Sequence, residues 1–458
     1  MTLPVVGIAM AATFAVAGPM KPVGDGELKK SVERLIGDLE STSRGVRVRA
    51  ERELVALGPR ILPWLPPSEL TPNVSVREAV RRVRIRLETA AARESVKPSR
   101  IALKGTPTLK DALREIAKQS GNRIDTAKLP PESLAAKIDV SYAGTTFWTV
   151  LDDLARRGKL RFRVVPGENR IAVEPRPADS SKPVAVDNGG AFRIAVLSLK
   201  KRPIVGDDAN ELLRVRWSIA AEPRLRPLFL KYGGRSLVAE TAAGKLDACL
   251  PAHPSRAGKA LSPFDADANL EVAAVDGAAP ISQSSDFILP KGVAAEAIRF
   301  RGQVRMLTAA RSEPVKFPNL ARAKGSAKRR GGVTVTVNDV SAVPMKANGK
   351  KAASQRVSVD VSVSYDVGGP AFESHRTWMF HNRVYLETAA GKRIPADPAF
   401  KTIVQRDGAV GVGYRFTLVP KLQLGNEPAA KLQFVYVAPT LLIDVPVRFD
   451  FAKLSLTP

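Results

Sequence analysis

Residues 108–121, TLKDALREIAKQSG, and residues 145–164, TTFWTVLDDLARRGKLRFRV, decide the fold of the middle of this chain. In the first, Leu109, Leu113 and Ile116 recur at helical spacing between a capping Thr108 and a terminating Gly121, which predicts a helix. In the second, Thr145 opens a helix carrying Phe147, Val150, Leu151 and Leu154, and Gly158 closes it. Leu160, Phe162 and Val164 then alternate as a strand. Ile101 and Leu103 precede the first helix as a strand, and Ile138, Val140 and Tyr142 precede the second. Pro166-Gly-Glu-Asn169 is a turn into a last strand with Ile171 and Val173. Residues 99–175 therefore read as an α+β domain of βαββαββ type. Its helices have one-sided apolar stripes and cover one sheet face, so an edge with unpaired N–H and C=O groups remains for a protein partner.

This order of strand, TLKDALREIAKQSG, strand, TTFWTVLDDLARRGKLRFRV and a final NRIAVEP strand resembles the secretin and TonB short N-terminal (STN-like) domain. The resemblance covers residues 99–175 and rests on hydrophobic grammar, so it implies a fold and a periplasmic docking role and no catalytic residue. No secretin pore domain and no barrel-like C-terminus follows it.

Upstream, Leu28, Val32, Leu35 and Leu39 form one helical stripe, and Val46, Ala50, Leu54 and Leu57 form a second, ended by Gly58-Pro59. Ser75-Val-Arg-Glu78 reads as a capping box for a third helix striped with Val76, Val80, Val83 and Leu87. The runs VRAERELVALGPRILPWL (48–65) and VREAVRRVRIRL (76–87) are similar to a HEAT-type helical repeat. That likeness implies a small docking module over residues 28–97, since fewer than two units are visible and a solenoid needs about three.

Downstream, residues 176–190 are rich in Pro, Asp, Ser and Gly and read as a linker. Alternation then dominates: Leu213, Val215, Trp217 and Ile219; Val357 to Val363; Tyr414, Phe416 and Leu418; Ile443 to Phe451. We expect a β-rich domain over 191–320 and a β-sandwich over 333–458, both Ig-like, joined by a small, basic linker at 321–332. The fold class is thus multidomain α+β.

Lys and Arg number 71 against 45 Asp and Glu, a balance of +26 that favours polyanions such as nucleic acid, anionic lipid or cell-wall polymer without naming one. Arg322, Lys324, Lys328, Arg329 and Arg330 are the densest cluster and the polyanion-binding candidate. The run Val5 to Gly18 is too short to span a membrane but suits a signal-peptide core, and Ala15-Val16-Ala17 supplies a cleavage site, although no Lys or Arg precedes it. A signal peptide over 1–17, an exported or periplasmic mature chain and no integral membrane span are the expectations.

Motifs for chemistry are scarce. Gly244-Lys245 and Gly391-Lys392 lack the rest of a phosphate-binding loop, and no G-x-S-x-G elbow occurs. His253, His375 and His381 are the three histidines and Cys249 is the one cysteine, so acid–base, nucleophilic or zinc chemistry would draw on a very small pool. Asp265, Asp267, Asn269, Glu271 and Asp276 have calcium-loop spacing, but Leu270 stands where such a loop needs glycine. Asp152-Asp153 beside Arg156 and Arg157 reads as a charge-paired helix face, and Trp148 as core. The expectation is a binding or scaffold protein of the bacterial cell envelope with no cofactor. A cationic polyanion binder and a hydrolase of unrecognised site are the alternatives.

Overall fold

Strand outweighs helix in the computed structural model of this protein, an α+β chain with several sheets and few helices. The structure describes residues 25–66, 73–165, 170–178, 182–188, 190–233, 236–249, 269–274, 280–293, 297–344, 355–366, 382–397, 400–406, 409–418 and 431–456. The signal-like run lies outside them. Two compact units divide between Ala90 and Ala91. Among the described residues, no helix is long and apolar enough to cross a membrane.

The first unit contains α1 (Asp25–Asp38), α2 (Arg44–Ala56), a 3-10 turn at Pro59–Trp64 and most of α3 (Val74–Ser95). Leu28, Val32, Leu35 and Leu39 of the first stripe meet Ala50, Leu54, Val76, Val80, Val83 and Leu87 in one core. Two local expectations change. Val46 is 37% exposed and Val48 42%, so the stripe on α2 begins at Ala50. The cap of α3 is Asn73 rather than Ser75: Asn73 Oδ1 accepts from Ser75 N at 2.9 Å and Val76 N at 3.3 Å, satisfying two of the first-turn donors.

The second unit continues with β1 (Arg100–Gly105), α4 (Leu109–Ser120), β2 (Arg123–Asp125), α5 (Pro131–Ala135), β3 (Val140–Thr146), α6 (Phe147–Arg157), β4 (Leu160–Val165) and β5 (Arg170–Pro175). β1 and β3 form an antiparallel pair, while β2, β5 and β4 form a separate three-stranded sheet in that order, with β2 parallel to β5. Thr108 caps α4 by accepting from Asp111 N, and Gly121 ends it at φ 67°. α6 differs in detail: Thr146 is its N-terminal flank, Gly158 is not left-handed, and the positive φ falls on Lys159.

The remaining strands are β6 (Ala185–Asp187), β7 (Phe192–Ile204), β8 (Asp207–Ala221), β9 (Arg226–Gly233), β10 (Leu237–Thr241), β11 (Gly244–Lys245), β12 (Asp247–Cys249), β13 (Asn269–Ala273), β14 (Ile281–Pro290) and β15 (Ile298–Phe317). After them come β16 (Ala327–Arg330), β17 (Val333–Pro344), β18 (Gln355–Tyr365), β19 (Val384–Glu387), β20 (Arg393–Pro395), β21 (Phe400–Arg406), β22 (Ala409–Leu418) and β23 (Gln433–Leu454). One five-stranded sheet runs β12-β14-β8-β7-β6 and another β16-β17-β18-β22-β21. An eight-stranded sheet lies between them in the packing scheme, centred on β15 paired with β23 from Ile298↔Leu454 to Phe317↔Phe434. The first half of β15 and the second half of β23 pack on the β7-β8-β14 sheet around Trp217, Phe287, Phe300 and Phe449. The other halves pack on the β17-β18-β22 sheet around Phe317, Phe416, Phe434 and Tyr436.

Strand pairing therefore does not follow the expected division into 191–320 and 333–458. Neither linker is an unpaired connector: Ala185–Asp187 pairs with β7, and Ala327–Arg330 pairs with β17. Both are edge strands, and on Ala327–Arg330 lysine and arginine keep the outer rim soluble.

Residues 99–175 are bonded to the β-rich part through a buried polar knot. Glu222 is fully buried and accepts from Ser99 N at 2.9 Å, Ser99 Oγ at 2.6 Å, Asn122 Nδ2 at 3.1 Å and Arg224 Nε at 2.7 Å. Arg224 also donates to the carbonyls of Ser95 and Lys97. Trp148 Nε1 donates to Ala191 O at 3.2 Å, and Ala220 enters the core of residues 99–175.

Candidate docking groove

β4 is an edge strand: in its sheet it has β5 on one side and, among the described residues, no strand on the other. The direction of its main-chain groups follows from one bond. Arg176 N donates to Lys159 O at 2.8 Å beside the pair Leu160↔Pro175, which makes that pair the non-hydrogen-bonded kind, as the missing N–H of proline requires. Antiparallel alternation then turns the N–H and C=O groups of Leu160, Phe162 and Val164 away from β5.

A cavity of about 270 Å³ lies along this edge. Five consecutive residues of β4, Leu160 to Val164, line it. A cavity over one sheet face would touch alternate residues, so consecutive lining places it beside the backbone rim. The opposite wall is one face of α6, with Trp148, Leu151, Asp152 and Ala155 at spacings of three, one and three. Arg176, Lys182, Pro183, Arg193, Ala220 and Pro280 complete it from beyond residue 175. A second cavity of about 610 Å³ shares Asp152, Arg176, Lys182 and Arg193 and extends past Tyr142, Thr149 and Asn188.

The polar groups divide into spent and unspent. Asp152 accepts from Arg193 Nε at 3.0 Å and Asn188 Nδ2 at 2.6 Å, whereas Asn188 Oδ1 is buried with no hydrogen bond. Burial alone would raise the Asp153 carboxyl, but bonds from Tyr142, Arg156 and Arg157 outweigh it and hold it below the usual range. Burial and the bond to Asp153 push the Tyr142 phenol well above its ordinary value. On the other face of β4, Glu174 accepts from Arg161 at 2.6 Å, Lys128 at 2.9 Å and Arg163 at 3.1 Å. The Arg161 bond leads those that pull its carboxyl down to about 2. Arg176 and Lys182 make no side-chain bond among the described residues, which leaves two uncompensated cations on the groove wall.

The edge of the other small sheet, at β1, is guarded. Gln119 Oε1 accepts from Ala102 N at 2.8 Å and Gln119 Nε2 donates to Ala102 O at 2.9 Å, so one side-chain amide takes the place of a neighbouring strand on β1. β1 is closed at its middle where β4 stays open.

The cationic candidates at 321–332 are largely engaged. Lys324 pairs with Asp339 at 2.7 Å, Lys328 donates to Lys316 O at 2.7 Å and lies over Phe317, and Arg329 pairs with Asp366 at 2.5 Å. Arg322 and Arg330 remain exposed. Of the calcium candidates, Asp265, Asp267 and Asp276 lie outside the described residues, as do His253, His375 and His381. Asn269 and Glu271 belong to strand β13, and Glu271 is paired to Lys231 at 2.8 Å, a strand arrangement in place of the expected loop. Among the described residues no three acidic, histidine or cysteine side chains cluster as metal ligands. Cys249 is buried on β12, and burial pushes its thiol up to about 11.

The groove-wall residues Arg176, Lys182 and Arg193 were not singled out by sequence reasoning. Their role depends on β6 and β7 returning beside α6, for which no local pattern exists. No family model matches the chain, and no curated protein matches it.

Proposed function

We propose that this chain is an exported, non-enzymatic docking or scaffold protein of the bacterial cell envelope. In this reading residues 99–175 are a domain of the secretin and TonB short N-terminal kind, holding an extended segment of a protein partner on the outer edge of β4. The observation that carries it is the row of outward N–H and C=O groups of Leu160, Phe162 and Val164 beside a cavity lined by every residue of that row. A strand laid there gains main-chain hydrogen bonds from β4 and side-chain contacts from α6, which is how β-strand addition combines affinity with selectivity. The HEAT-like helical unit and the β-rich, Ig-like half then serve as further docking and spacing elements. Export is supported by the apolar run Val5 to Gly18 with its Ala15-Val16-Ala17 site.

The test is site-specific photo-crosslinking in the native cell with p-benzoylphenylalanine in place of Phe162, against the same probe in place of Val343, which is 61% exposed on β17. A discrete adduct in the envelope fraction from position 162 alone is expected. Equal labelling from both positions, or none from 162, overturns the docking reading.

A further inference from the structure

We infer that the segment taken up by β4 is one that alternates apolar with acidic residues. This rests on the docking reading above and adds the chemistry of the partner. A strand paired with β4 must place its side chains alternately on the two faces of the sheet, because successive Cβ atoms point to opposite sides. The two faces of β4 differ sharply. On one, Leu160 and Val164 are buried and Phe162 is half-buried beside Trp148 and Leu151 of α6, so neighbours of that row meet apolar surface. On the other, Arg161 and Arg163 are exposed, and with Lys128 they surround the single carboxylate of Glu174. Three cations against one anion leave that face positive where an added strand's outward residues would stand.

The end of the groove repeats the imbalance. Arg176 and Lys182 make no side-chain bond among the described residues, while the nearby Asp152 is already taken by Arg193 and Asn188. Directly opposed side chains on neighbouring strands lie about 4.5–5.5 Å apart, close enough for opposite charges to stabilise and like charges to repel. Lysine or arginine at the outward positions would face this surplus, and a segment apolar on both faces would desolvate it. Acidic residues at alternate positions satisfy both faces at once.

The experiment uses the full-length protein and three short fluorescein-labelled peptides in which valine alternates with glutamate, serine or lysine. Fluorescence anisotropy is expected to show the valine–glutamate peptide binding on the order of tenfold more tightly than the serine peptide, with the lysine peptide weakest. Added salt should narrow the difference. Arg163→Glu should weaken the glutamate peptide and strengthen the lysine one, while Phe162→Pro, which removes an outward N–H without touching a β4–β5 bond, should weaken all three. Should Arg163→Glu fail to fold, the peptide ranking and its salt dependence on the unaltered protein still decide. Equal affinities, or a preference for lysine, overturn the acidic chemistry and leave edge docking standing. Failure of every peptide to bind overturns the inference, and combined with no adduct at position 162 it overturns the docking reading as well.

Discussion

At the scale of single residues, Glu174 links the groove to stability. Its carboxyl is held near 2 in the folded chain by Arg161 first, then Lys128 and Arg163, against an ordinary value near 4.5. A depressed folded pKa contributes stability that is complete above the unfolded pKa and is lost as pH falls through the folded one, so the window lies between about 4.5 and 2. Glu174→Gln should therefore lower the melting temperature at neutral pH, and the difference from the parent should shrink as the pH falls through that window. A gap that stays constant with pH would show that the carboxylate's ion pairs are not its source. Individual letters were legible where the physics is local: Thr108 and Gly121 bound α4 in the structure because capping is decided within one turn. Asn73 in place of Ser75 shows the same physics displaced by two residues, since neighbouring polar side chains compete for the same orphan N–H groups, whereas Thr146 flanks α6 without a side-chain cap bond.

At the scale of elements, long periodic stretches were readable and short ones were not. β8 and β18 alternate for many residues, and Val215, Trp217, Val359 and Val361 are all buried. β2 has three residues and α5 five, too few to display a period, and neither could be assigned residues from the sequence. Composition misled at Ala327–Arg330, where small and basic residues imply a connector but main-chain bonds to β17 make an edge strand. That the rim of β1 is closed depends on Gln119, seventeen residues from the Ala102 it bonds, which no pattern reveals. Gly302 carries a test of how closely elements pack. A Cβ there would lie 2.6 Å from Leu237 Cδ2, 2.8 Å from Phe449 Cζ and 2.9 Å from Ser236 O, so two side chains and one carbonyl fill the space a methyl group would need. Gly302→Ala should destabilise the chain by about 1–3 kcal/mol in urea unfolding. A neutral outcome would mean that Leu237 and Phe449 can rotate away without cost.

At the scale of the molecule, the α+β class and the dominance of strand in the second half were legible, whereas the pairing of β15 with β23 was not. Their apolar rows are visible one at a time, but register between strands so distant in sequence leaves no local mark. The result is one long ribbon contributing to two cores. Deleting residues 443–458 should therefore loosen the core around Trp217, whose ring lies 6.1 Å from that of Phe449, although Trp217 is far from the deletion in sequence. A red-shifted tryptophan emission with lowered cooperativity is the expected readout, and an unchanged spectrum would show that the first core closes without β23. The same ribbon sets a timetable for synthesis. Ile298 is made well before its partner Leu454, and Phe317 before Phe434, so β15 lacks its neighbour in both cores until residues 433–454 are made. Until then this half should stay an open set of sheets with unpaired rims, the kind of state most exposed to chaperones and to mispairing.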